Sequence, residues 1–388
     1  LYTSTSAVCV TGLVSVDARD TFTPLGQTLL ALLIQIGGLG VTSIGAGLIL
    51  LLGRRLDFKG RSLVQEAMNL ASGGGIVKFV RQVFFTTVTI ELAGAVLSYP
   101  VFARDFSPLH ALGISLFHAI AAFNNSGFDI LGGMRSLTGY RSDVLLNLTT
   151  CALIFLGGIG FFVIREMREK RFRWKTYSLH AKLVLSGSAA LILAGTLLLK
   201  LTEGENLPWL GALFNSVDAR TAGFSTYPLG GFTDAGLLVV LVLMLIGASP
   251  GSTGGGVKVS TAVVLFHGVK AAATNQYERA FRYAIPKEAF RKAAVITLLA
   301  LTVIFTATFL LLVLEPGLAL RDALFEMTSA FGTVGLSTGI SPGLSDGAKL
   351  LSMLVMYIGR LGPFTIASLF YFSRGELVRF PEGTVAIG

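Results

Sequence analysis

Apolar residues gather in long, charge-poor runs, and polar residues collect between them. Seven runs stand out, at 25–53, 83–100 (broken by Glu91), 144–164, 183–199, 235–257, 293–314 and 350–373 (broken by Arg360). An apolar stretch of about 18 or more residues is long enough to cross a bilayer as a helix. The pattern therefore predicts an all-α membrane protein with seven spans. Residues 1–12 read as loop material rather than as a span, and the chain opens at Leu1. A segment upstream of it is expected.

Within alternate runs the same short pattern returns. "IQIGGLG", "IFLGGIG", "MLIGASP" and "MYIGRLG" align on Gly37, Gly157, Gly247 and Gly359. Ahead of each lies a small-residue stretch with a glycine before an apolar residue: "VTGL", "NSGF", "TAGF" and "TVGL". From the loop glycine to the run glycine the separations are 25, 30, 24 and 24 residues. Recurrence at one spacing is the signature of a structural repeat. The apolar segments at 113–123, 209–217 and 320–331 precede three of these loops. Each predicts a helix of about ten residues, roughly 15 Å or half a bilayer. The predicted unit is an outer span, a half-helix, a loop and an inner span. Four units divide the chain at 1–75, 76–175, 176–285 and 286–388, the first being partial. Irregular backbone at membrane depth persists only where protein or water surrounds it, so the four loops are expected to meet on one axis.

Charge sets the orientation. Basic clusters at 54–61, 165–175 and 270–292 alternate with connections rich in acids, among them Asp105, Asp129, Glu203, Asp218, Glu315 and Glu326. The positive-inside rule places the basic connections in the cytoplasm. The net charge of +9 is thus an orientation signal, and no nucleic-acid partner is expected. With 53% hydrophobic and only 14% charged residues, a soluble protein is excluded.

Little else carries reactive chemistry. His110, His118, His180 and His267 lack ligand spacing, and Cys9 and Cys151 form no framework. No nucleophile–base pair is visible, so no enzyme is expected. The stretch "GASPGSTGGG" at 247–256 looks like a phosphate-binding loop, but Val257 stands where the lysine is required, and Lys258 comes one place late with Val259 and not Ser/Thr after it. It is read instead as a break inside an apolar run.

The loops offer backbone carbonyls, which can replace the water shell of a monovalent cation. Pore half-helices point their partly negative C-terminal ends at the same place. Asp17, Asp129 and Asp218 are expected near the outer mouth, where acids concentrate cations. Arg360 lies within an apolar run, where a charge is costly and functional. It aligns with Gly38, Gly158 and Ala248, which places it below the loops, repelling cations and anchoring the 247–256 stretch. Lys258 is expected at the inner end of that stretch, either steadying it or reaching for the cytoplasm. Glu91 is expected to partner a neighbouring polar group, and Asn124 and Asn125 to line the loop mouth or cap the half-helix.

The loops "CVTGL", "NNSGF", "RTAGF" and "GTVGL", the interrupted run "GASPGSTGGGVKVST" and the arginine of "YIGRLGPFT" together resemble the Ktr/Trk/HKT superfamily of potassium transporters, the Ktr branch most. The resemblance covers essentially the whole chain. It implies four outer helix–pore loop–inner helix repeats around one pore, passing K+ with Na+ as a possible second ion. It implies a filter of Val10, Thr11, Gly12, Asn125, Ser126, Gly127, Thr221, Ala222, Gly223, Thr333, Val334 and Gly335. By the same resemblance, Gly247, Ala248, Ser249, Pro250, Gly251, Ser252, Thr253, Gly254, Gly255, Gly256, Lys258 and Arg360 form an intramembrane gate. The implied setting is a homodimer in the bacterial cell membrane, on a cytoplasmic nucleotide-binding ring of KtrA or TrkA type. The alternatives are a Trk-type relative and a secondary transporter with alternating access. The resemblance also implies that a first outer span and most of the first pore helix lie outside this sequence. A ring left incomplete in that way would put the first loop against lipid.

Overall fold

A computed structural model describes residues 1–40, 76–171, 173–362 and 365. The stretch 41–53 of the first run, the basic cluster at 54–61, and the chain beyond 365 lie outside the described residues.

Among the described residues, three helices are long and apolar enough to cross a membrane, and they are the outer helices α3 (Ile76–Phe102), α7 (Leu179–Glu203) and α11 (Lys287–Leu314). The pore helices are α1 (Tyr2–Cys9), α4 (Pro108–Phe123), α8 (Trp209–Asp218) and α12 (Leu320–Gly332). The inner helices are α2 (Pro24–Leu39), α5 (Val144–Gly158), α9 (Asp234–Leu245) and α13 (Asp346–Leu361). Two more follow inner helices, α6 (Phe161–Lys170) and α10 (Val259–Thr274).

Each inner helix starts at a side-chain cap. Thr23, Asp143, Thr233 and Ser345 accept from the backbone N–H of Gly26, Leu146, Gly236 and Ala348. Such a cap satisfies one of the helix's otherwise unpaired donors. Every cap stands fourteen residues before its inner-helix glycine, Gly37, Gly157, Gly247 or Gly359. That regularity is a further mark of the repeat.

Two sequence expectations change here. First, the inner spans are shorter than the apolar runs. Gly40, Gly160 and Gly362 have φ of 83°, 88° and 91°, a region that favours glycine. The chain breaks at each of them, and between α5 and α6 it turns by 100°. In the sequence, apolar residues continue past each of these glycines. The interruption is therefore not confined to the third repeat. Second, residues 2–9 are a helix, not loop. Their tertiary setting decides this, since Tyr2, Ser6, Ala7 and Cys9 are buried.

The repeats close on themselves. Inner helix α2 packs on pore helix α4 of the next repeat, α5 on α8, α9 on α12, and α13 on α1. Within each repeat the inner-helix glycine lets two backbones meet. A Cβ on Gly37, Gly157 or Gly359 would collide with the carbonyl of Val8, Phe123 or Phe331 at the end of its own pore helix. Cys9 and Cys151 are buried free thiols.

Candidate functional site

The four loops share one backbone conformation. Val10, Asn125, Thr221 and Thr333 have φ of 57°, 57°, 85° and 50°, and two residues later Gly12, Gly127, Gly223 and Gly335 have φ of 92°, 68°, 81° and 93°. A β-branched residue at positive φ is a strained arrangement costing about 1–3 kcal/mol. Val10, Thr221 and Thr333 all accept it, and such outliers cluster at functional sites.

Each glycine also meets the next loop. A Cβ on Gly12 would strike the Ser126 carbonyl oxygen, one on Gly127 that of Ala222, one on Gly223 that of Val334, and one on Gly335 that of Thr11. The cycle returns to its start, so the ring of four loops is closed. Val10, Thr11, Asn125, Ser126, Thr221, Ala222, Thr333 and Val334 are all fully buried. The expected exposure of the first loop to lipid is absent, because Gly12 and Gly335 seal it to its neighbours.

The 247–256 stretch lies against this ring. Gly247 N–H donates to the Val257 carbonyl at 2.8 Å, making the stretch a loop closed at its base. Ser249 N–H and Thr253 N–H donate to the carbonyls of Gly158 (2.9 Å) and Gly157 (3.3 Å), and Phe161 N–H donates to that of Gly251 (3.0 Å). Gly255 N–H donates to Thr333 Oγ1 at 2.9 Å, and Thr253 Oγ1 to the Phe123 carbonyl at 3.2 Å. A Cβ on Gly254 would collide with Thr221 Oγ1. Ala248 packs beneath it, and Pro250 and Ser252 sit at the half-buried turn, with Ser252 Oγ donating to the Ser249 carbonyl at 2.6 Å. Gly256, with φ of 68°, returns the chain beside Gly332. Lys258 Nζ donates to the Gly254 carbonyl at 2.8 Å, so it turns toward the loop and not away from it.

Arg360 joins three repeats at this level. Its guanidinium donates to the carbonyls of Thr253 and Gly37, and to that of Gly38 at 3.2 Å. Asn124 Nδ2 donates to Glu91 Oε1 (3.0 Å), Gln35 Oε1 (2.8 Å) and the Ile120 carbonyl (2.9 Å). Glu91 is thus the partner of a polar group at a pore-helix end. The Asn125 amide lies 3.0 Å from Thr221 Oγ1, bridging the second and third loops.

The acids differ from expectation. Asp17 and Asp129 lie in the connections that follow the ring glycines, where Asp17 Oδ2 accepts from Met134 N–H at 2.6 Å and ties the first repeat's connection to the second's. Burial pushes the Asp129 carboxyl up to about 6, the Leu131 amide pulls against that, and the Asp17 carboxylate adds to it. Asp218 is not at the mouth. It is fully buried at the end of α8, where Oδ1 accepts from Phe224 N–H at 2.8 Å. Hydropathy and charge could not show this, because the deciding partner is a backbone amide.

Residues 1–188 and 195–376 match the TrkH family, described as cation transport protein. The chain belongs to that family. A relative from Bacillus subtilis, the Ktr system potassium uptake protein B, is 36% identical over 399 residues, covering all of this chain and 89% of the relative. The Vibrio alginolyticus protein of the same description is 35% identical over 400 residues, covering all of this chain and 87% of that one. The potassium/sodium uptake protein NtpJ of Enterococcus hirae is 34% identical over 414 residues, covering all of this chain and 89% of that one. Among solved structures, the potassium transporter TrkH from Vibrio parahaemolyticus superposes with a TM-score of 0.75 at 18% identity, over 95% of this chain and 77% of that one. At such identity the likeness speaks for the fold. This TrkH-family chain is accordingly an all-α membrane transporter.

Proposed function

We propose that this chain is a potassium uptake subunit, passing K+ through the ring of four loops. The carrying observation is the closed cycle of glycine-to-carbonyl contacts, which gathers the carbonyls of Thr11, Ser126, Ala222 and Val334 into one ring. A ring of carbonyls replaces the hydration shell of a monovalent cation. The uptake functions of the relatives from Bacillus subtilis and Enterococcus hirae support the choice of ion. The second of these handles sodium as well, and we carry Na+ to this ring as a coupling or competing ion.

The loop 247–256, held by Arg360 and Lys258, is the gate in this reading. It lies against the hydroxyls of Thr221 and Thr333, and a cation leaving the ring meets it next. The subunit works as a homodimer in the bacterial cell membrane, basic connections inward, on a cytoplasmic nucleotide-binding ring of KtrA or TrkA type. The 100° turn into α6 (Phe161–Lys170) presents part of the basic surface for that partner.

The test is uptake by cells lacking their own potassium uptake systems. Cells carrying this chain and a regulatory ring subunit are expected to grow at low potassium and to accumulate K+. Absence of accumulation, with the protein present in the membrane, contradicts the assignment.

A further inference from the structure

The ring needs its carbonyls held still, and three of its four loops are tied from a pore-helix end by a side chain, in the third loop one residue later than in the first and fourth. In the first loop Gly12 N–H donates to Ser6 Oγ at 3.0 Å. In the fourth, Gly335 N–H donates to Ser329 Oγ at 3.1 Å. In the third, Phe224 N–H donates to Asp218 Oδ1 at 2.8 Å. Each donor follows its acceptor by six residues, so each contact is a strut from the end of a pore helix to the amide at or just after the filter glycine. Ser6, Asp218 and Ser329 are all fully buried.

The second loop has no such strut. Ala121 occupies the position of Ser6 and Ser329. There the network of Glu91, Gln35 and Asn124 holds the pore-helix end instead. The four loops are thus supported unequally.

Asp218 is the exceptional strut. A buried carboxylate is costly unless its oxygens are bonded. Glu91, Glu203 and Glu326 bond both of theirs. Asp218 Oδ2 has no hydrogen-bond partner among the described residues, the single buried carboxylate oxygen there of which this is true. Nor does Arg220 neutralise it, since that guanidinium turns to Ser188. A serine at this place would carry no such cost, so helix stability alone does not explain the acid. Its shorter bond to the loop amide does, at 2.8 Å against 3.0 and 3.1 Å for the two serines.

We propose that Ser6, Asp218 and Ser329 are positioning residues that set the ring's discrimination between K+ and Na+, with Asp218 the strongest of the three. This rests on the filter assignment above. A strut that slackens lets its loop carbonyl follow the smaller ion, so Na+ gains relative to K+.

The experiment uses the full chain purified in detergent. Its melting temperature is followed against KCl and against NaCl, since an ion bound only by the folded state raises it. In Ser6→Ala, Ser329→Ala and Asp218→Ala, the ratio of half-saturating Na+ to half-saturating K+ is expected to fall roughly three- to tenfold, the range for loss of one hydrogen bond. Asp218→Asn, which keeps an acceptor oxygen, is expected to restore the ratio. The two serine variants lose one oxygen each and keep the test open should Asp218→Ala not fold. A wild-type ratio in the alanine variants, or no recovery in Asp218→Asn, overturns the inference while leaving the filter assignment standing. Absence of any ion-dependent shift in the wild-type chain overturns both.

Discussion

Gly335→Ser is expected to cut potassium uptake by about tenfold or more and to erase most of the preference for K+ over Na+. Gly335 has a φ of 93°, and a side chain there costs on the order of 1–3 kcal/mol in backbone strain alone. Sterics add to this. A Cβ would collide with the Thr11 carbonyl oxygen, with Gly12 Cα at 2.9 Å behind it. Both atoms belong to the backbone of the neighbouring loop, so neither can turn aside as a side chain would. The fourth loop must shift, and the carbonyls of Thr11 and Val334 move with it. Paired K+ and Na+ uptake curves measure the effect. A variant at normal membrane abundance that keeps wild-type uptake and selectivity removes Gly335 from the filter.

Arg360→Ala is expected to raise potassium flux. On the proposed path, the guanidinium held by the Thr253, Gly37 and Gly38 carbonyls adds a positive charge. A unit charge ~8 Å from a passing cation, at an effective dielectric of ~20, raises the cation's energy by about 2 kcal/mol. Removing it corresponds to a rate gain of roughly thirtyfold. The same substitution frees the Thr253 carbonyl, one of the contacts that hold the 247–256 loop. Both consequences act in one direction, toward an open path. Initial rates of K+ or Rb+ entry into proteoliposomes at matched protein content give the comparison. Unchanged flux there argues that Arg360 only packs the helices.

What could be read from the sequence follows from how each feature marks residue type. Gly37, Gly157 and Gly359 were legible because each must let a pore-helix carbonyl approach where no side chain fits. Gly12, Gly127, Gly223 and Gly335 were legible for the same reason. The 247–256 loop was legible because glycine, proline and serine break an apolar run. The lengths of the inner helices were not. Apolar residues continue on both sides of Gly40, Gly160 and Gly362, so hydropathy marks the bilayer and not the helix end. Thr23, Asp143, Thr233 and Ser345 mark the helix starts at one fixed spacing, but as single polar residues they do not stand out from their polar neighbours. The helix at 2–9 was hidden because "YTSTSAVC" has weak intrinsic propensity, and tertiary burial overrides it. Asp218 was misplaced because its sign suggested the mouth, whereas its role is set by an amide six residues along the chain.

The ring itself is open to direct observation. A structure of the full chain determined in Rb+ or Tl+ is expected to show the heavy cation on the axis of the four loops, within coordinating distance of the carbonyls of Thr11, Ser126, Ala222 and Val334. The same map with the 247–256 loop ordered beneath the ion would match the account in full. Heavy-cation density elsewhere in the membrane region, with the ring empty and its carbonyls turned away, would contradict it.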